Sequence, residues 1–183
     1  HADFNTWPDD RQVFSCQVDN QVLAGLLNGH VGLSSSELKQ MFKESVNMLS
    51  ALVDGNWKLH HNECVTWRPK KWNTEPNAVA NEVLNGNDVS IARLTPECEK
   101  YLECPSNFNW SVSSNGARRN TSKQTAAAFV IRVWWLTPNG WQSQKIFEQA
   151  ARTPAETTTW KAEVTTFHMG ISKLSLLLLG IIT

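Results

Sequence analysis

Apolar residues recur most regularly between Leu38 and Val53. Leu38, Met41, Phe42, Val46, Leu49, Leu52 and Val53 fall mostly three or four positions apart, the spacing of one helix face. Ser34 stands in a capping position, and Glu37 three residues later completes a capping box. Gly55 suits a left-handed helix end. The pattern predicts a helix over 35–53 with its apolar stripe turned to a core.

Elsewhere the period is closer to two. Val13 to Val18 reads as a first strand, and Trp57, Leu59, His61, Val65 and Trp67 suggest extended chain. Asp88 to Leu94 reads as a strand, as does Phe108 to Ser113, half-buried through Phe108, Trp110 and Val112. The strongest central strand is Ala126 to Leu136. Thr137-Pro138-Asn139-Gly140 is a turn by composition, so Trp141 to Phe147 returns as the second arm of a hairpin. Trp160, Ala162, Val164 and Thr166 alternate, which predicts a strand over Thr158 to Phe167.

Between these segments, 20–33 has no decisive period, and Asn77 to Leu84 suits a helical turn or two. Thr95-Pro96-Glu97 can open a short helix through Leu102. Residues 114–125 and 151–157 have the polar composition of loops. The apolar run Leu174 to Ile182 is too short to span a bilayer, which takes about 20 helical residues. A lipid-anchor signal ends in a similar run but is removed from a mature chain, so a buried strand is expected over Ile171 to Ile182. The fold expected is mainly β: an antiparallel β-sandwich with one well-defined helix at about 35–53, in one secreted domain over 1–183.

Charge narrows the function classes. Seventeen basic and 17 acidic residues cancel, leaving no field to attract nucleic acid or an anionic membrane. Arg68-Pro69-Lys70-Lys71 and Arg118-Arg119 are short enough to be solvated surface. Tryptophan is the compositional anomaly, with nine Trp against one Tyr. Most are expected in the core, and the remainder offer flat surfaces on which sugar rings can stack.

Four cysteines, at 16, 64, 98 and 104, permit two disulfides, with the pairing open. Cys98 and Cys104 could close a small loop, and Cys16 could then reach Cys64. No C-x-x-C pair argues for zinc. Asn109-Trp110-Ser111 and Asn120-Thr121-Ser122 are glycosylation sequons. With a first residue other than Met, these features predict an extracellular setting, a missing signal peptide being what processing leaves.

His1 brings in chemistry. A terminal histidine places an α-amine beside an imidazole, and the two nitrogens can chelate one metal ion. Copper favours such nitrogen ligands in tetragonal geometry. The third nitrogen would come from His30, His60, His61 or His168. The opening His1…Trp7-Pro8-Asp9-Asp10-Arg11, followed by Cys16, resembles that of lytic polysaccharide monooxygenases and related N-terminal-histidine copper proteins. Thr165-Thr166-Phe167-His168-Met169-Gly170 resembles the strand context of the second copper histidine in several of those families. The resemblance implies that His1 and His168 are the metal-binding and catalytic residues and that copper is the cofactor. It further implies oxidative cleavage of a polysaccharide as the reaction. The family places an axial Tyr or Phe after the second histidine, whereas no aromatic residue follows His168 here.

Other arrangements are weaker. His60 and His61 point to opposite faces of a strand, and His61 shares its face with Glu63. There is no Gly-x-Ser-x-Gly elbow and no phosphate-cradling glycine loop. Two alternatives stand beside the copper enzyme. One is a non-enzymatic secreted binding or toxin-like protein whose ligand affinity, for a glycan among others, survives metal removal. The other is a viral capsid-type β-sandwich subunit, although the chain lacks a basic arm to package nucleic acid. No stable membrane span is expected.

Overall fold

The structure is a computed structural model that describes residues 7, 11–27, 36–60, 65–69, 71, 73–86, 89–119, 124–154 and 158–180. Its centre is one mixed sheet of seven strands. In chain order these are β1 (Val13–Val18), β2 (Lys58–Leu59), β3 (Thr66–Trp67), β4 (Ser90–Leu94), β5 (Asn109–Arg118), β6 (Thr125–Thr137) and β7 (Gly140–Arg152). Five helices accompany them: α1 (Gln21–Leu27), α2 (Ser36–Asp54), α3 (Thr74–Asn85), α4 (Glu99–Glu103) and α5 (Thr159–Leu179). The sheet order is β2-β1-β5-β6-β7-β4, with β3 also on β1. β1 runs parallel to β2, β3 and β5, while β5, β6, β7 and β4 form an antiparallel meander.

A β-sheet and the helix expected at 35–53 are both present, but the described residues form no sandwich. Helices cover the sheet where a second sheet was expected. The largest correction is at the C-terminus, where the strand expected over Thr158–Phe167 and most of the one beyond it are one helix. Trp160, Ala162, Val164 and Thr166 do alternate, yet Ala162, Thr166, Phe167, Ile171, Leu174 and Leu178 are buried on one helical face, three or four residues apart except for the adjacent Thr166 and Phe167. Tertiary packing selects the helical period. Thr158 caps α5 by accepting from Lys161 N–H, and Gly180 closes it at φ 65°, a left-handed position glycine takes without steric cost. Gly55 does not end α2 in that conformation; Asn56 does, at φ 71°. Val53, expected on the α2 stripe, is 45 % exposed. The proposed cap at Ser34 lies outside the described residues.

The two expected loops are also shorter than their composition suggested. β5 runs on past Ser113 to Arg118 and β7 on to Arg152. Gly116 explains part of this, since a Cβ there would come within 2.9 Å of Glu163 on α5. Only glycine lets helix and strand approach so closely.

The faces of the sheet differ. On one, Phe14, Cys16, Val18, Trp110, Val112, Phe129, Ile131 and Val133 pack with Val164, Phe167, Ile171 and Leu174 of α5 and Leu49 and Leu52 of α2. This is the main core. On the other, Ala126, Ala128, Val130 and Ala150 take Val79, Ala80, Val83 and Leu84 of α3 in a smaller apolar patch. Beyond the N-terminus of α3 the second face turns polar, with Ser15, Gln17, Asn109, Ser111 and Asn115 all buried. No helix of the described residues is long and apolar enough to cross a membrane.

Candidate functional site

Register creates the first cavity. β5 begins at Asn109, opposite Trp134, whereas β6 and β7 continue to the Thr137–Gly140 turn. The hairpin therefore overhangs the end of β5. Gly140 adopts φ 105°, and Thr137 Oγ1 ties the turn by accepting from Asn139 N–H and donating to the Gly140 carbonyl. Beside the overhang lies a groove of about 510 Å³ lined by Arg11, Asn107, Phe108, Asn109, Trp134, Trp135, Leu136 and Trp141.

The aromatic walls are held from behind. Trp134 Nε1–H donates to Ser111 Oγ at 2.9 Å. Tyr101 stacks on Trp135 with centroids 5.5 Å apart, and its hydroxyl donates to Gln144 at 3.0 Å. Trp7, itself buried, stacks on His60 at 4.6 Å and packs against both Trp134 and Trp141. Trp134, Trp135 and Trp141 stay partly exposed, whereas Trp57 and Trp110 are core residues.

A second cavity, of about 340 Å³, shares Trp134 with the first. Its floor is the polar part of the sheet: Gln17 from β1, Ser111 and Ser113 from β5, Arg132 from β6 and Ser143 from β7. Arg68 and the N-terminus of α3 complete it through Asn73, Thr74, Glu75 and Pro76. Arg132 grips Glu75 with two bonds, at 2.6 and 2.7 Å, and donates to Ser143 Oγ at 3.0 Å. Arg68 donates to Gln17 Oε1, which also accepts from Ser113. Burial lowers the Arg68 pKa and the Glu75 charge offsets part of that shift; a guanidinium remains charged at neutral pH.

Of the expected site residues and their candidate partners, only His60 and His168 lie among the described residues. His1 lies outside the described residues, as do His30, His61 and Glu63. His168 is on helix α5, so the strand context of the resemblance is not the one it occupies. Its Nε2 pairs with Glu44 of α2 at 2.9 Å, and it lines neither cavity. Hydrogen bonds from Gln40 and His168 hold the Glu44 carboxyl below its usual range. His60 is buried beneath Trp7. Among the described residues, no group of three or more His, Cys, Asp and Glu side chains could hold a metal ion.

The secretion markers change too. Cys98 is buried, Cys104 is exposed, and both are free thiols, so the small loop they could have closed is open. Cys64 lies outside the described residues. The first sequon is inaccessible: Asn109 is 1 % exposed and its Oδ1 accepts from Val13 N–H. Asn120 lies outside the described residues.

Sequence reasoning missed Arg68, Arg132, Asn73 and Ser143. One signal was present in Asn109, Ser111 and Ser113 alternating with Trp110 and Val112. Alternation identified the apolar face, but only tertiary structure reveals that the polar face is buried as well. No family model matches the chain, and no curated protein matches it.

Proposed function

We propose that this chain is a non-enzymatic binding domain whose groove takes a glycan. The observation that carries the reading is the set of three partly exposed tryptophans, 134, 135 and 141, joined by Phe108, Arg11 and Asn107 in one open groove. Indole faces offer flat apolar area to the C–H face of a sugar ring. Arginine and asparagine supply donors, and asparagine also supplies an acceptor, for ring hydroxyls.

The same lining argues against catalysis in the groove. Its described side chains include no carboxylate, imidazole, thiol or hydroxyl, so they offer no acid, base or nucleophile of the ordinary kinds. Recognition without turnover fits this chemistry, and it needs no metal.

Titrating neutral and acidic oligosaccharides while following tryptophan fluorescence in the presence of EDTA tests the reading. Saturable binding, weakened about tenfold or more by Trp141→Ala, is expected. Affinity that vanishes with EDTA, or that ignores Trp141→Ala, overturns it.

A further inference from the structure

We infer that the second cavity is a neutral sugar subsite. It takes the ring next to the one stacked in the tryptophan groove and holds that ring by its hydroxyls. That the occupant is a sugar rests on the glycan reading, whereas the donors and acceptors it must match belong to the cavity itself.

The charged side chains of the cavity are already engaged. Arg132 gives two bonds of its fork to Glu75 and a third to Ser143 Oγ. Arg68 is engaged as well, with Gln17 among its partners. A guanidinium fork that already holds one carboxylate does not grip a second through the same bonds. A ligand therefore meets mainly neutral groups, and these ask for a donor and an acceptor at once.

Asn73 asks for the donor. It is 1 % exposed and lines the cavity. Its Nδ2 donates to the Ser114 carbonyl at 3.0 Å, which sets the orientation of the amide. Oδ1 is then a buried acceptor with no donor. Leaving such a group unpaired costs free energy, which a donor on the ligand recovers. An ionised carboxylate only accepts, so it cannot serve here.

Ser111 and Ser143 ask for the acceptor. Ser111 Oγ accepts from Trp134 Nε1–H, and Ser143 Oγ accepts from Arg132. Each hydroxyl keeps its own proton to donate. A sugar hydroxyl answers both demands, giving its proton to Asn73 and accepting on its oxygen from serine.

Position makes this ring part of the same chain. Trp134 borders both cavities, and its Nε1–H is bonded to the floor of the second. A glycan stacked in the groove continues past that indole into the polar cavity. The ligand class is thus a neutral oligosaccharide of two rings or more.

The test uses the full chain and a length series of one to four rings, built in turn from glucose, mannose, galactose and N-acetylglucosamine. A uronic-acid tetramer is the acidic control. Calorimetry and tryptophan fluorescence report binding. In the series that binds, affinity is expected to rise about tenfold or more when the second ring is added, because the two subsites then act on one molecule. Ser143→Ala is expected to cut that gain about three- to tenfold, the effect of one lost hydrogen bond. Asn73→Ala should do the same; if it fails to fold for want of the bond to Ser114, Ser143→Ala carries the test.

Binding that depends on Trp141 but gains nothing from a second ring overturns the subsite and leaves the glycan reading intact. So does a gain that ignores Ser143→Ala, or a uronic-acid tetramer that binds tenfold more tightly than every neutral one. Failure of every sugar to bind overturns the glycan reading, and the subsite with it.

Discussion

The same strands build both faces of the sheet, yet the two faces bury different things. Phe129, Ile131 and Val133 turn toward α5; Val130, Arg132 and Trp134 turn the other way. The α5 face is filled by aliphatic and aromatic side chains, and Thr166 fits by donating its hydroxyl to the Ala128 carbonyl. The opposite face has an apolar patch under α3 and then a floor of serine, asparagine, glutamine and arginine. Apolar burial stabilises at roughly 25 cal/mol per Å² of area removed from water. Buried polar groups contribute little net and cost free energy wherever a partner is lacking. One face therefore supplies most of the stability, and the other carries the polar cavity.

Changes on the two faces should separate stability from binding. Phe129→Ala empties a fully packed site on the α5 face. A loss of about 3–5 kcal/mol in urea unfolding is expected, and a smaller loss would mean that this face is not the principal core. Gly170→Val tests the same face by overpacking. A Cβ at Gly170 would lie 2.9 Å from Val112 Cγ2 and 3.3 Å from Phe129 Cβ. Destabilisation of about 1–3 kcal/mol is expected, read as a lower unfolding midpoint with the slope kept.

Trp141→Ala probes the other face. Ligand affinity should fall about tenfold, or about 1.4 kcal/mol, while the unfolding midpoint moves little. A large stability loss would make Trp141 a core residue instead of a groove wall.

The smallest effect concerns acid. Burial tends to raise the Glu148 carboxyl pKa, but hydrogen bonds from Arg93 and Lys145 outweigh it and leave the group below its ordinary 4.5. A carboxylate depressed by folding stabilises the fold above its unfolded pKa. That contribution is lost as pH falls through the folded value. Glu148→Gln should therefore flatten the acid limb of stability below about pH 4.5, by less than about 1 kcal/mol. Arg93 also binds Glu82 of α3, so hydrogen exchange in mild acid should rise in α3 before α5. Simultaneous opening of both helices would argue against this division.

The sequence made the α5 face partly legible and the other face hardly so. Leu49 and Leu52 announced α2 through helical spacing, and Thr137-Pro138-Asn139-Gly140 announced the hairpin through turn chemistry. α5 was misread because Trp160 to Thr166 satisfies a period of two as well as a helical one. What decides between them is the sheet surface that Ala162, Thr166 and Ile171 meet, and that surface is built from distant strands. β5 was cut short at Ser113 because the stretch 114–125 has the composition of a polar loop, and the burial of its first residues depends on contacts such as Asn115 with Asn77. The tryptophan excess signalled a stacking surface without saying which indoles form it. Trp134, Trp135 and Trp141 form it only because β6 and β7 overrun β5. The preference for His168 as the partner of His1 relied on a strand context, whereas His168 sits on a helix beside Glu44; His1 itself lies outside the described residues.

Nuclear magnetic resonance of the indole N–H groups, with nitrogen-labelled protein titrated with neutral and acidic oligosaccharides, addresses the groove most directly. The signals of Trp134, Trp135 and Trp141 should shift together and saturate at one ligand concentration, while those of Trp57 and Trp110 stay in place. Silence from the groove indoles, or equal movement of the two core indoles, would contradict glycan binding beneath the hairpin.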